Sequence, residues 1–184
     1  GLGPAIIETF VNVGMINKTY DIYNLNPDKI ASLEGFKQTS AKNIINSVNN
    51  SKKNDLSKLI FALGIRHIGA KAGKLLADHF KNIDAIMNAS VDDILEIDGF
   101  GVVMAQSVVE FFESDSSKEL IEKLKEVGVN MISTNVVKDN RFEGMTFVLT
   151  GTLPTLKRSE ASSIIESFGG KASSSVSKKT TYVL

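Results

Sequence analysis

In DGFGVVMAQSVVEFF (98–112), Val103, Val108, Phe111 and Phe112, with Ser107 among them, recur at three- and four-residue spacings. That period predicts a helix with one apolar face. Directly before it stand Gly99 and Gly101, where the chain must turn into the helix. Glycine in such a turn tolerates positive φ and lets another molecule approach the main chain. The first N–H groups of the helix lack internal partners and carry the positive end of its dipole, so a bare helix start suits an anion such as a phosphate oxygen.

The same arrangement occurs four times. GLGPAII begins at Gly1, GFKQTSA at Gly35, HIGAKAG at His67 and GFGVVMA at Gly99, so the starts lie 34, 32 and 32 residues apart. The intervening segments also match at an offset of 64, pairing Asp28 with Asp92, Ile30 with Ile94, Leu33 with Ile97 and Gly35 with Gly99. This is a duplicated pair of helical hairpins. Asn26 before Pro27, and Ser90 before VDD, have the character of N-caps. Helices this short must pack on one another to persist in water. A protein-binding solenoid is the alternative for a helical repeat of this period, but the few units and the glycine turns favour function at helix starts.

The pattern changes near residue 130. Residues 130–141, NMISTNVVKDNR, are polar, lack a helical period and predict a linker. MTFVLTG (145–151) then predicts a strand, RSEASSIIESF (158–168) an amphipathic helix stopped by Gly169 and Gly170, and KTTYVL a further strand. Strand, helix and strand at this spacing imply parallel pairing in a small α/β domain. The expected organisation is a mainly α hairpin domain at 1–129, a linker at 130–141 and an incomplete α/β domain at 142–184. About 43 residues offer little core for an independent domain, and the chain opens inside a hairpin without Met, so a piece of a larger protein is expected.

Composition narrows the chemistry. Without cysteine there are no disulfides and no cysteine-held zinc, and His67 and His79 lie twelve residues apart without an evident third metal ligand. There is no apolar run of membrane-spanning length and no signal-peptide pattern, so a cytoplasmic, membrane-free location is expected. The formal net charge is zero, yet residues 37–81 carry nine Lys/Arg against two Asp, whereas 82–126 carry eleven Asp/Glu against three Lys. The basic block contains two of the four hairpin turns and fits a local phosphate footprint. The acidic block serves either solubility or contact with another basic surface.

LIFALGIRHIGAKAGKLLADHF (59–80), LEIDGFG and FVLTGTLPTLKRSEASSIIESFGGKASSSVSKKTTYVL together resemble the C-terminal part of the bacterial NAD-dependent DNA ligases. The likeness covers essentially the whole chain: the first 130 or so residues resemble that family's helix-hairpin-helix domain and the tail the start of its BRCT domain. The resemblance implies a nucleoid-associated parent that seals nicks in duplex DNA during replication and repair. It does so through a lysine adenylylated by NAD, with Mg²⁺ and a four-cysteine zinc site. The KxDG lysine motif and the cysteines are absent from this sequence, so no catalytic residue, cofactor or metal is expected in it. It implies instead a grip on nicked duplex DNA by hairpins straddling the minor groove.

On this reading Gly1, Gly3, Gly35, Gly69, Gly99 and Gly101 shape the DNA-contacting turns, and Lys37, Arg66, His67, Lys71 and Lys74 stand beside them. Main-chain N–H groups read phosphate position and not base identity. Two residues depart from the glycine pattern. Lys37 holds the slot of a second glycine and His67 that of a first, although RHIG is usual for the family's third hairpin. If Lys37 had to take positive φ it would be strained. The second hairpin is then either a packing unit or a place where the lysine itself reaches a phosphate. Positive φ is likewise expected at Gly101. In the BRCT part, Thr150 and Gly151 correspond to positions that in some BRCT domains bind phosphate, and a protein partner there is open. Two further readings remain: a non-catalytic hairpin module of another DNA repair or recombination protein, and a protein-interaction module.

Overall fold

Asn26 and Ser90 do start helices: the Asn26 side chain accepts from the N–H of Asp28 at 2.9 Å, and the Ser90 hydroxyl from that of Asp93 at 3.2 Å. The computed structural model describes residues 2–134, 140–151, 153 and 155–184. Among them the chain divides into two units, Gly1–Ser133 and Thr134–Leu184.

The first unit is helical: α1 (Pro4–Asn12), a 3-10 segment (Thr19–Asn24), α2 (Pro27–Ala31), α3 (Gln38–Ser51), α4 (Leu56–Ala62), α5 (Ala70–Phe80), α6 (Ile83–Met87), α7 (Val91–Leu95), α8 (Val102–Glu113) and α9 (Asp115–Glu126). The 64-residue offset reappears as two cores. Phe10, Ile16, Ile30, Ala41, Ile44 and Val48 close around the first hairpin pair. Leu56, Ile60, Leu76, Ile83, Ile94, Val108, Phe112 and Ile121 belong to the larger second core. Helices α2 and α7 have only five residues each, too few to hold together alone, and each buries one isoleucine, Ile30 and Ile94 respectively. Packing therefore supplies what chain length does not.

In α8 the buried face is Ala105, Val108 and Phe112. Val103, expected on that face, is instead 60% exposed. At about 100° per residue, five positions place it far around the helix from Val108.

Residues 130–133 are not linker. The N–H of Asn130 donates to Lys52 O at 2.8 Å, that of Ile83 to Met131 O at 3.0 Å, that of Leu56 to Ile132 O at 3.3 Å and that of Ser133 to Lys81 O at 2.7 Å. A polar, aperiodic string can still be ordered when neighbouring loops offer main-chain partners. Residues 135–139 of the expected linker lie outside the described residues.

The second unit contains β1 (Thr146–Val148), α10 (Arg158–Ser167), β2 (Lys171–Ser173) and β3 (Tyr182–Val183). The sheet order is β2-β1-β3, and both pairings are parallel. Helix α10 packs Ala161 and Ile165 against Phe147 and Leu149. Strand β2, KAS, carries no apolar alternation to announce it and forms because Lys171 follows the Gly169 stop, its N–H donating to Met145 O at 2.9 Å.

Candidate nucleic-acid interface

The four repeated turns converge on one backbone geometry. Gly3, Lys37, Gly69 and Gly101 are the N-caps of α1, α3, α5 and α8, all extended, with φ of −87°, −125°, −86° and −103°. Two residues earlier the chain turns left-handed, with φ of +83° at Gly35, +65° at His67 and +91° at Gly99. The first repeat's Gly1 lies outside the described residues.

This corrects two expectations. Lys37 is not strained, because its slot is the extended N-cap and the left-handed position belongs to Gly35. Gly101 is not at positive φ either. Within the four turns the non-glycine residue at left-handed φ is His67, which is exposed and makes no hydrogen bond, ion pair or ring contact with the described residues.

What surrounds these helix starts separates them from the other helices of the unit. A carboxylate belongs at a helix N-terminus, where it complements the dipole. Asp28 opens α2, Asp84 opens α6, Asp92 and Asp93 open α7, Asp115 opens α9, and Asp55 is the N-cap of α4. The first turns of α1, α3, α5 and α8 contain no acidic residue. Side-chain capping divides the same way. Asn26, Asp55, Asn82, Ser90 and Ser114 each accept from a first-turn N–H, whereas Gly3, Gly69 and Gly101 have no side chain to do so. A Cβ built on Gly3, Gly69 or Gly101 meets nothing within 4 Å, so the approach to each is open. The second hairpin is partly closed by its own chain, since the Lys37 N–H donates to Ser40 Oγ at 2.9 Å.

The charges are uneven. Lys37, Arg66 and Lys71 are exposed and form no ion pair with the described residues. Lys74 is engaged within α5, its Nζ lying 3.2 Å from Asp78 Oδ2. The third hairpin is thus flanked by cations, while the fourth has Asp98 before its glycines and no Lys or Arg in its turn or the first turn of α8. Sequence reading missed the missing first-turn carboxylates. The signal was present, and comparing the three residues after each N-cap would have found it.

In the second unit Thr150 Oγ1 donates to Leu184 O at 3.1 Å, and Gly151 stands at φ +68° with its carbonyl 3.4 Å from Arg158 Nη2. Among the described residues no group of three or more His, Cys, Asp or Glu is placed to hold a metal ion.

A helix-hairpin-helix motif matches residues 58–121, a SAM-like helix-hairpin-helix tandem residues 1–50, and a BRCA1 C-terminus (BRCT) domain residues 137–184. The whole chain is 50% identical to a DNA ligase of Acetivibrio thermocellus, 49% to one of Clostridioides difficile and 48% to one of Carboxydothermus hydrogenoformans. It spans 28% of the length of each of these relatives. Helix-hairpin-helix models and a BRCT model thus match successive parts of the chain, and over its full length it is similar to a region of bacterial DNA ligases.

Proposed function

We propose that the helical unit grips the sugar–phosphate backbone of duplex DNA for a parent protein that joins nicked strands. The observation that carries this reading is the split among helix starts. Every other α-helix of the unit begins beside an Asp, and the four hairpin helices begin beside none. A dipole left without its own anion on an open surface favours an external one. Phosphates spaced along a duplex supply several at once. Gly3, Gly69 and Gly101 open the approach, Gly35, His67 and Gly99 turn the chain, and Lys37, Arg66, Lys71 and Lys74 add positive charge. Gly1 belongs to the first of these turns by sequence.

The likeness to DNA ligases supports the rest of the proposal. The parent is a bacterial, nucleoid-associated, NAD-dependent ligase using Mg²⁺ and zinc held outside this chain, and the fragment is not catalytic. On this reading the DNA-gripping domain is 1–129 and the BRCT part 142–184, and residues 130–133 pack with the first of the two compact units, Gly1–Ser133 and Thr134–Leu184. The BRCT unit, through Thr150 and Gly151, offers a site for a phosphate-bearing protein partner.

Fluorescence anisotropy of a labelled nicked duplex tests the DNA reading. Binding is expected to be indifferent to base sequence and to weaken steeply with salt as counterions are released. Lys71→Ala should reduce the salt slope by about one. Salt-insensitive binding, strong preference for one sequence, or no binding would refute it.

A further inference from the structure

The fourth hairpin raises a question that the basic block does not answer. It repeats the backbone geometry of the third, with Gly99 and Gly101 in the places of His67 and Gly69, yet it lies in the acidic stretch of the sequence and has no Lys or Arg in its turn or in the first turn of α8. Its first turn instead presents Val102 and Val103, 52% and 60% exposed.

Nothing in the folding of α8 calls for them. Its buried face is Ala105, Val108 and Phe112, with Met104, Val109 and Phe111 packed against the same core, and neither Val102 nor Val103 is among them. Valine is a mediocre helix former, and the first turn rewards acidic residues, which this part of the chain uses freely elsewhere. Two adjacent β-branched apolar side chains held out to water at that place are best explained by a surface that covers them.

Resting on the DNA-backbone reading, we infer that Val102 and Val103 pack against the apolar C–H face of the deoxyribose units between the phosphates. The occupant follows from continuity. The valines are the first two residues of the helix whose open N-cap, Gly101, is equivalent to Gly69 of the cation-flanked hairpin. A phosphate at that helix start brings its own sugar against the next side chains. The two hairpins then divide the work: the third binds through charge and releases counterions, and the fourth binds through main-chain N–H groups and apolar contact.

Salt dependence separates these contributions. The test uses the full chain and a nicked duplex, with the double variant Val102→Thr/Val103→Thr, which keeps the branched shape and replaces a methyl with a hydroxyl. Burying that hydroxyl against C–H groups should weaken binding about fivefold at every salt concentration, with the salt slope unchanged. Its melting temperature should match the parent, and Val103→Ile should retain affinity. Parent-like affinity of the threonine variant overturns the inference, as does a slope reduced as in Lys71→Ala, and either result leaves DNA binding itself intact. Failure of the unaltered chain to bind DNA overturns both readings.

Discussion

His67 holds a left-handed backbone, φ +65°, at a position where the second and fourth repeats use glycine. An L side chain there costs about 1–2 kcal/mol, and among the described residues the imidazole has no partner to offset it. His67→Gly is expected to raise the unfolding free energy by up to about 1 kcal/mol in urea titration while weakening DNA binding. The reciprocal change, Gly99→Ala at φ +91°, should lower stability by about 1 kcal/mol. Gly101→Ala adds no backbone strain, since its φ of −103° suits alanine and a Cβ meets nothing within 4 Å, so the remaining cost to stability is that of alanine at an N-cap, about 0.5 kcal/mol. Its added methyl stands at the open helix start, so affinity for nicked duplex should fall. A fall in melting temperature for Gly101→Ala comparable to that for Gly99→Ala would contradict the assigned geometry.

At the scale of elements, each helix start is either self-sufficient or left open. Ala70 is the exposed first residue of α5, so Ala70→Glu should stabilise the helix by about 0.3–1 kcal/mol while repelling phosphate. Higher melting temperature together with weaker DNA binding is the expected pair of results, and unchanged binding would count against the open starts as anion sites. The closed starts give a pH signature. The Ser90 hydroxyl and N–H bond to Asp93, and the N–H groups of Asn17 and Lys18 bond to Asp21, holding both carboxyls below their ordinary value of 3.8. A carboxylate depressed in the folded state binds its proton more readily when unfolded, so its contribution is fully present above pH 3.8 and is lost as pH falls towards the folded value. Denaturation followed from pH 7 to 3 should show these caps failing only at the acid end. Asp93→Asn should remove part of that acid dependence and leave the curve between pH 6 and 8 parallel to the parent.

For the whole molecule, the boundary after Ser133 is set by hydrogen bonds that reach back across the chain. Asn130 Nδ2 donates to Asn54 O at 2.9 Å and to Ile132 O at 2.7 Å, and Ile132 forms an antiparallel bridge with Asn82. A chain ending at Ser133 should therefore melt as the helical unit does in the full protein. One ending at Val129 loses main-chain partners at Lys52, Leu56, Lys81 and Ile83 and should be less stable by about 2 kcal/mol. Equal melting of the two truncations would move the boundary back to the linker expected from polarity alone. Both should bind nicked duplex where folded, since all four hairpin turns precede residue 130.

Much of this architecture was legible along the chain because it depends on local chemistry. The repeated glycine turns, the Asn26 and Ser90 caps and the strand-helix-strand order of the tail follow from backbone preferences that act within a few residues. A two-residue glycine pattern does not say which residue turns, and the structure gives the left-handed slot to Gly35, His67 and Gly99 and not to Lys37 or Gly101. Burial and pairing were decided only in three dimensions. Val103 shares a helical period with Phe111 but faces outward because the neighbouring helices cover a different arc of α8. Residues 130–133 and KAS carry no periodic signal and are ordered by main-chain partners supplied from distant loops and strands. Gly73, a costly residue inside a helix, is tolerated in α5 because a Cβ there would come within 3.3 Å of the Ser57 carbonyl of α4. A periodic pattern specifies which residues can share a face, and only the packed neighbours determine which face is covered.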